Sequence, residues 1–274
     1  MTLRKSLFAL AFLFSFKGYS QVKLVLNTGQ KLEVTTDLST TSVASVMGQD
    51  IESTAATNTT EVFEVKNASA KQTDLVSTVT HLTADINAMG QSTKYDSDKK
   101  DNTDPGASEM GEMVNKPKNI TIDPNGKVLK EEKSATSAAT QFAGSALSST
   151  PFLRETFVGK NLKVGDSWMD STTNTSDKLT TNTVGTYTVK AVDNNIATIS
   201  FSGTTKLSGS MEQMGQEMEM TSTSTITAET KLDVTTGIIM ESVANSDGTM
   251  SIEAAGMSIP VTVKTKTTTK SRML

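Results

Sequence analysis

Apolar and polar residues alternate along most of this chain, which is the two-residue period of a β-strand with one buried face. The segment TITAETKLDV, residues 225–234, places Ile226, Ala228 and Leu232 on one face and charged residues on the other. The same alternation predicts further strands, including a pair around a turn at 27–29, in residues 22–36, 61–66, 74–86, 197–201 and 258–270.

Short polar segments containing Gly, Asn or Pro separate these strands. DPNG at 123–126, VDNN at 192–195, TTG at 235–237 and NSDG at 245–248 carry residues that favour tight turns. Neighbouring strands are therefore expected to be joined by hairpins.

One helix is predicted at 134–147, where Ser134 can cap a narrow, alanine-rich apolar stripe. The polar stretch 98–117 is expected to be a loop. The predicted fold is mainly β: a large curved antiparallel sheet, a half-barrel or a sandwich, with one or two short helices. Residues 21–274 are expected to form a single domain in two halves, 21–130 and 150–274, joined by the helix.

The segment GSMEQMGQEMEM, residues 209–220, holds four methionines. In a helix, Met211, Met214 and Met218 would share a face. In a strand, Met214, Met218 and Met220 would share a face with the glutamates opposite, and the β-branched continuation TSTSTIT favours the strand. We therefore predict one long strand with its methionines facing inward.

Two functional interpretations of the methionines are open. Thioethers bind Cu(I), but such sites usually include Cys or His, and neither is near in sequence. Methionine also suits adaptable apolar pockets. We favour the second interpretation and expect Met214, Met218, Met220 and Trp168, the single tryptophan, to line a ligand cavity. The alternative for Trp168 is an anchor in the hydrophobic core.

A weak internal repeat is also visible. VFEVKN (62–67) precedes AMGQ (88–91), and TYTVKAVDNN (186–195) precedes QMGQ (213–216); a third MGQ occurs at 47–49. The repeat is either chance in a biased composition or the mark of two similar β-meanders in one sheet.

The first twenty residues have the organisation of a secretory signal peptide. Arg4 and Lys5 precede the apolar run SLFALAFLFSF at 6–16, and small residues precede Gln21. The run is too short for a membrane span, so we expect no transmembrane segment after cleavage. Because the chain has no cysteine, it cannot be an N-terminally lipidated lipoprotein. The predicted location is the periplasm, the cell surface or the exterior.

Charge and motifs exclude several functions. The formal charge of −4 becomes −7 once Arg4, Lys5 and Lys17 leave with the signal, which argues against nucleic acid as a partner. His81 is the single histidine and has no nucleophile motif around it. The acidic segment 95–104 departs from the calcium loop of an EF-hand. We therefore predict no catalytic residues, no metal and no cofactor.

Five segments in this order resemble a family of uncharacterised exported β-rich proteins of Bacteroidota, classed as a domain of unknown function. They are LVLNTGQKLEVTT, KYDSD, ITIDPNGKV, KVGDSWMDS and DVTTGIIMES. The resemblance implies no activity and supplies no catalytic residues. More remotely, a large sheet crossed by short helices is similar to the fold of periplasmic lipoprotein carriers, a likeness of fold alone.

Three functions are carried forward. The first is a non-enzymatic exported protein that binds an apolar ligand, such as a lipid or acyl chain, on the concave face of its sheet. The second is a structural or protein-interaction component of the cell envelope, with an open edge or apolar patch for a partner. The third and least favoured is a hydrolase using Asp96, Asp98 or His81, which requires carboxylates to converge in a cleft.

Overall fold

The computed structural model describes residues 21–88, 90–104, 106–132, 151–176, 178–213, 216–254 and 257–274, and these form one large antiparallel sheet. The predicted mainly-β fold is confirmed. The twelve strands are β1 (Lys31–Val46), β2 (Gln49–Ala68), β3 (Thr73–Ala88), β4 (Gln91–Asp96), β5 (Pro117–Ile122), β6 (Val128–Glu131), β7 (Ser167–Ser176), β8 (Leu179–Asp193), β9 (Ile196–Gln213), β10 (Gln216–Asp233), β11 (Ile239–Ala254) and β12 (Met257–Met273).

Two short helical segments accompany the sheet: α1 (Ala107–Gly111) and the 3₁₀ turn η1 (Glu155–Phe157). The first lies inside the stretch 98–117, so the prediction that this stretch is entirely loop was wrong. Met110 and Ala107 are buried on α1, and this apolar pair holds the turn against the sheet. The helix predicted at 134–147 lies outside the described residues.

The strand order is β6-β5-β3-β2-β1-β12-β11-β10-β9-β8-β7, with β4 also paired to β3. Strands from the first part of the chain therefore lie on one side of the sheet and strands from the second part on the other. They meet at the β1–β12 pair, where Leu32 lies opposite Met273 and Ala44 opposite Val261. The sheet is open: β6 and β4 lie at one edge and β7 at the other.

The sheet has two distinct ends. We call the end where β1 joins β2, β3 joins β4, β9 joins β10 and β11 joins β12 the tip end, and the opposite one the base end. The recurring MGQ occurs at three of the tip connections: 47–49, 89–91 and 214–216. Met47 and Gly48 both adopt positive φ, which closes the first of these turns tightly. Met89, Met214 and Gly215 lie outside the described residues.

The predicted repeat has a structural counterpart at the base end. The N–H of Gly29 donates to the carbonyl of Val65 at 2.8 Å, and the N–H of Gly165 donates to that of Val189 at 3.0 Å. In turn, the N–H of Val65 donates to the carbonyl of Gln30, and the N–H of Val189 donates to the carbonyl of Asp166. A β-bulge follows Val65 on β2 and Val189 on β8. The two halves of the sheet therefore share a local design.

Most turn predictions were correct. DPNG joins β5 to β6, VDNN joins β8 to β9, and TTG joins β10 to β11. NSDG was predicted as a turn, but it lies within β11, because its residues pair on both sides with β10 and β12. Residues 22–26 were predicted as a strand and form an extended segment at the base end instead. The N–H of Val22 donates to the carbonyl of Lys160 at 3.1 Å, and the N–H of Val25 donates to the carbonyl of Thr236 at 2.8 Å.

The hydrophobic core lies on one face of the sheet, which we call the core face; the opposite one is the outer face. Segments 21–28 and 151–162 cover the core face near the base end, where Phe152, Phe157 and Val22 are at most 1% exposed. Methyl and ring surface removed from water there contributes about 25 cal/mol per Å² to stability. A smaller cluster forms where α1 packs on Leu82 and Ala84 of β3. Core packing is therefore concentrated towards the base end and beside α1.

Candidate functional site

Trp168 lies in the packed core at the base end. Its ring stacks on Tyr187 with centroids 5.5 Å apart and meets Phe157 edge-on at 6.0 Å. Its Nε1 donates to the Oγ1 of Thr156 at 2.9 Å, and the Nζ of Lys160 lies 4.7 Å above the ring. These contacts hold the partly buried indole against the core and satisfy its N–H, as expected of a structural anchor.

Met218 and Met220 lie near the tip end of β10, on the core face. Met220 lies opposite Gly209 of β9. Trp168 lies in the cross-strand row of Phe201, which is also on β9 but eight positions from Gly209. Eight positions along a strand correspond to about 26 Å. The structure therefore does not bring Trp168 together with these methionines. Met214 lies outside the described residues, and ligand binding by the set remains a prediction.

The methionine segment is not one long strand, as predicted, but the meeting of two strands. Its first part ends β9 and its second part begins β10, so the backbone of Met218 pairs with that of Met211. From Gln216 onward the predicted alternation is correct. The repeated Met-Gly pair was the missed signal, because the equivalent Met47-Gly48 pair is a tight turn.

A contiguous apolar strip crosses the core face near the tip end. Large apolar residues there occupy two adjacent cross-strand rows, with Met218 in a third. The rows cross seven neighbouring strands in the order β2, β1, β12, β11, β10, β9 and β8, over about 30 Å. Each of its side chains is partly exposed, and none belongs to the three core clusters. We call it the tip band: Val46, Ile51, Leu179, Leu207, Met218, Met220, Met250, Ile252, Ile259 and Val261.

Small residues lie between the tip band and the base core. A Cβ on Gly248 would lie 2.5 Å from the carbonyl oxygen of Thr223, and one on Gly203 equally close to that of Val184. These distances show that the neighbouring backbone approaches each glycine too closely for a larger side chain. The curvature of the sheet stays a prediction, and these small residues separate the tip band from the base core.

Hydroxyl pairs line the same middle part of the core face. Thr183 and Thr205 lie 2.7 Å apart through their Oγ1 atoms, Thr40 and Thr265 3.2 Å apart. In each pair one hydroxyl donates to the other across the two strands. The described surface between base core and tip band is therefore weakly polar, and Asp170 on β7 is its partly exposed charged residue.

Glu61 is the exception: a carboxyl group buried on the core face of β2. Burial raises its pKa to about 7; the hydroxyl of Ser77, which donates to it, and the charge of Lys118 act in the opposite direction, and Glu131 adds to the rise. Two buried hydroxyls, Thr57 Oγ1 and Ser271 Oγ, lack hydrogen-bond partners. The sequence offered a signal for Glu61, because it shares a face with Phe63 and Val65.

Stability is expected to fall between pH 5 and pH 8 because of Glu61. Its folded pKa lies above the ordinary value of 4.5, so the folded protein holds a proton that the unfolded chain releases in this range. The loss should be about 2 kcal/mol. Urea unfolding at both pH values measures it, and Glu61→Gln should remove the dependence. The control Glu219→Gln, exposed on β10, should retain it; equal slopes in all three proteins would contradict the assignment.

The residues considered for hydrolysis do not form a catalytic arrangement. Asp98 Oδ2 and Ser97 Oγ both lie 3.3 Å from the same ring nitrogen of His81, Nδ1, whereas a triad uses the two nitrogens separately. A hydrogen bond from the N–H of Asp98 lowers the pKa of Asp96, which is the opposite of a raised catalytic acid. In the described residues, no group of three or more acidic or histidine side chains could hold a metal ion.

The outer face carries shallow polar grooves. The first, of about 490 Å³, crosses β12, β1, β2 and β3 and is bordered by Asp37, Asn58, Asp85 and Lys266. Its charged residues are two aspartates and one lysine. None of the helices in the described part of the chain is long and apolar enough to cross a membrane.

Comparison with known proteins identifies one family. Residues 155–239 match a family of unknown function, DUF6263, which covers η1, β7 to β10 and the first residue of β11. This segment contains the aromatic contacts of Trp168. The match agrees with an uncharacterised domain and assigns no activity. No curated protein matches the chain.

Two of the solved structures that are similar to this chain come from Pseudomonas species. The COG4313 outer membrane channel from Pseudomonas putida F1 is 8% identical, with 94% of this chain and 98% of that chain covered and a TM-score of 0.27. OpdQ from Pseudomonas aeruginosa is 4% identical, with 91% and 100% covered and a TM-score of 0.26. At these scores neither likeness carries a functional argument.

Proposed function

We propose that the protein is an exported, non-enzymatic binding protein that holds an elongated apolar molecule, such as a lipid or acyl chain, on the core face. The observation that carries the proposal is the tip band: a contiguous apolar strip, partly exposed, on the core face of the sheet. Monomeric proteins rarely leave such a strip without an occupant.

The chemistry of the surroundings favours an apolar ligand. The tip band offers the side chains of Met, Ile, Leu and Val, and in the adjoining threonine pairs one hydroxyl donates to the other. Each methylene group moved from water onto such a surface gains about 0.8 kcal/mol. Methionines at two adjacent rows, Met220 and Met250, can adapt to chains of different shape.

A structural or interaction component of the cell envelope is the second candidate. The same exposed band would then be covered by another protein rather than by a lipid. The exposed Met47, at 91%, and Met257, at 55%, lie beside the band at the tip end and favour this alternative. The two candidates differ in what co-purifies with the protein.

Native mass spectrometry of the protein purified from its own envelope separates them. A stoichiometric excess of mass that disappears on denaturation and extracts into organic solvent supports a lipid carrier. A protein of defined mass at fixed stoichiometry supports the interaction component. A bare chain that also fails to bind a fluorescent fatty acid in solution overturns ligand binding.

Substitutions in the tip band test the position of the ligand. Met220→Gln combined with Met250→Gln is expected to weaken binding of the fluorescent fatty acid at least tenfold, since polar amides replace apolar contacts. The matched control is Thr221→Gln with Thr249→Gln, on the outer face of the same two strands, which should leave affinity unchanged. Equal affinity in both double variants would place the probe elsewhere.

A further inference from the structure

The two edges of the sheet differ in how well they are protected. β6 has four residues, and Lys130 and Glu131 lie on it; Glu131 also forms an ion pair with Lys118 of the neighbouring β5. Short length and charge are the means by which natural sheets prevent their edges from pairing with other strands. The β6 edge is therefore closed to strand addition.

The β7 edge has neither protection. Its sequence, SWMDSTTNTS, is ten residues long, contains no proline and carries a single charge, Asp170. It pairs with β8 at all ten positions without a bulge. Within the described residues its backbone hydrogen-bonds to no other strand, so one row of N–H and C=O groups faces outward. Ser171 to Thr175 are exposed.

We propose that β7 pairs with β7 of a second copy of this chain, antiparallel, to form one continuous sheet through a twofold axis. An unprotected edge of this length calls for a partner, and the edge is complementary to itself. With one charge in ten residues, like charges oppose each other only if the axis passes through Asp170. Such a pairing is isologous and closed, so it stops at two copies.

The residues define two favourable registers. In antiparallel pairing, side chains that oppose each other lie on the same face. If the twofold axis passes through Thr172, Asp170 of one copy lies opposite Asn174 of the other, which can donate to the carboxylate. Thr172 then lies opposite Thr172 of the second copy. An axis at Ser171 places Asp170 opposite Thr172. Both registers bring hydroxyl-bearing and β-branched residues together, the pairs that stabilise sheets.

The oligomeric state of the protein purified after export tests the proposal. Analytical ultracentrifugation at micromolar concentration should show a dimer. Ser171→Lys with Thr173→Lys adds charges to the edge and should shift the dissociation constant at least a hundredfold towards monomer. The control, Thr223→Lys with Thr225→Lys on the outer face of the interior strand β10, adds the same charge and should remain a dimer. Circular dichroism confirms that each variant is folded.

Cysteine cross-linking then identifies the register. The chain contains no cysteine, so Thr172→Cys or Ser171→Cys introduces a single thiol. Directly opposed positions across an antiparallel pair are close enough for a disulfide, and mild oxidation should link two copies through one of these positions. Thr225→Cys should not cross-link. A monomeric native protein, or a dimer that survives the lysine substitutions on β7, would overturn the proposal.

Discussion

Phe157→Ala is expected to lower the free energy of unfolding by about 3–5 kcal/mol, the range for removing a buried aromatic ring. Phe157 is fully buried and touches both Trp168 and Tyr187 edge-on, with ring centroids at 6.0 and 5.2 Å. It anchors η1, and through it the covering segment 151–162, on the sheet. The remaining cavity adds to the lost transfer energy, because the surrounding strands are too constrained to collapse into it.

Urea unfolding followed by Trp168 fluorescence measures this effect, since the indole stacks in the same cluster. Val164→Ala is the matched control: its side chain is 65% exposed a few residues downstream, so the change should stay within about 0.5 kcal/mol. If both variants unfolded at the same urea concentration, the aromatic cluster would not be the stabilising centre of the base end.

Gly126→Ala is expected to destabilise the fold by about 3 kcal/mol. Gly126 closes the turn between β5 and β6 with φ at +84°, where an L-residue costs about 1–2 kcal/mol. In addition, a Cβ there would lie 2.5 Å from the carbonyl oxygen of Leu153, so the covering segment must move away from the sheet. Loss of that contact accounts for the rest.

Gly29→Ala separates the two contributions. Its φ is +85°, essentially the same as that of Gly126, but nothing lies within 4 Å of the Cβ position. It should therefore lose only the 1–2 kcal/mol of backbone strain. Differential scanning calorimetry of both variants gives the comparison. Equal losses would show that the contact with Leu153 contributes nothing.

The alternation of side chains allowed much of the sheet to be predicted. Ala197, Ile199 and Phe201 lie on the core face as expected, and so do Ile259 and Val261. A period of two identifies which face a residue occupies, because successive side chains point to opposite sides. It does not give the length of a strand or its neighbours, and these depend on pairing between distant segments.

The candidate site shows the same limit. Periodicity placed Met218 and Met220 on the inward face correctly, but it gave no information on their distance from Trp168, which depends on how far along its strand each residue lies. The turn prediction at 245–248 failed because a glycine in a strand can serve a bend as well as a turn. Gly248 allows β10 and β11 to approach closely, and only the neighbouring strand reveals this.

The β1–β12 pair has a consequence for how the protein reaches its native state. Glu33 and Arg272 join across this pair at 2.6 Å although they are 239 positions apart in sequence. Each half of the sheet consists of strands that follow one another in the chain, so each half can assemble locally. The central β1–β12 pair can form only after β12, the last strand, has been synthesised. Until then β1 and β11 are both free edges. Non-local pairing of this kind is slow and exposes strands to aggregation. A folding chain is therefore most prone to aggregate through β1 and β11, which lie in the middle of the sheet and are paired on both sides once folding is complete.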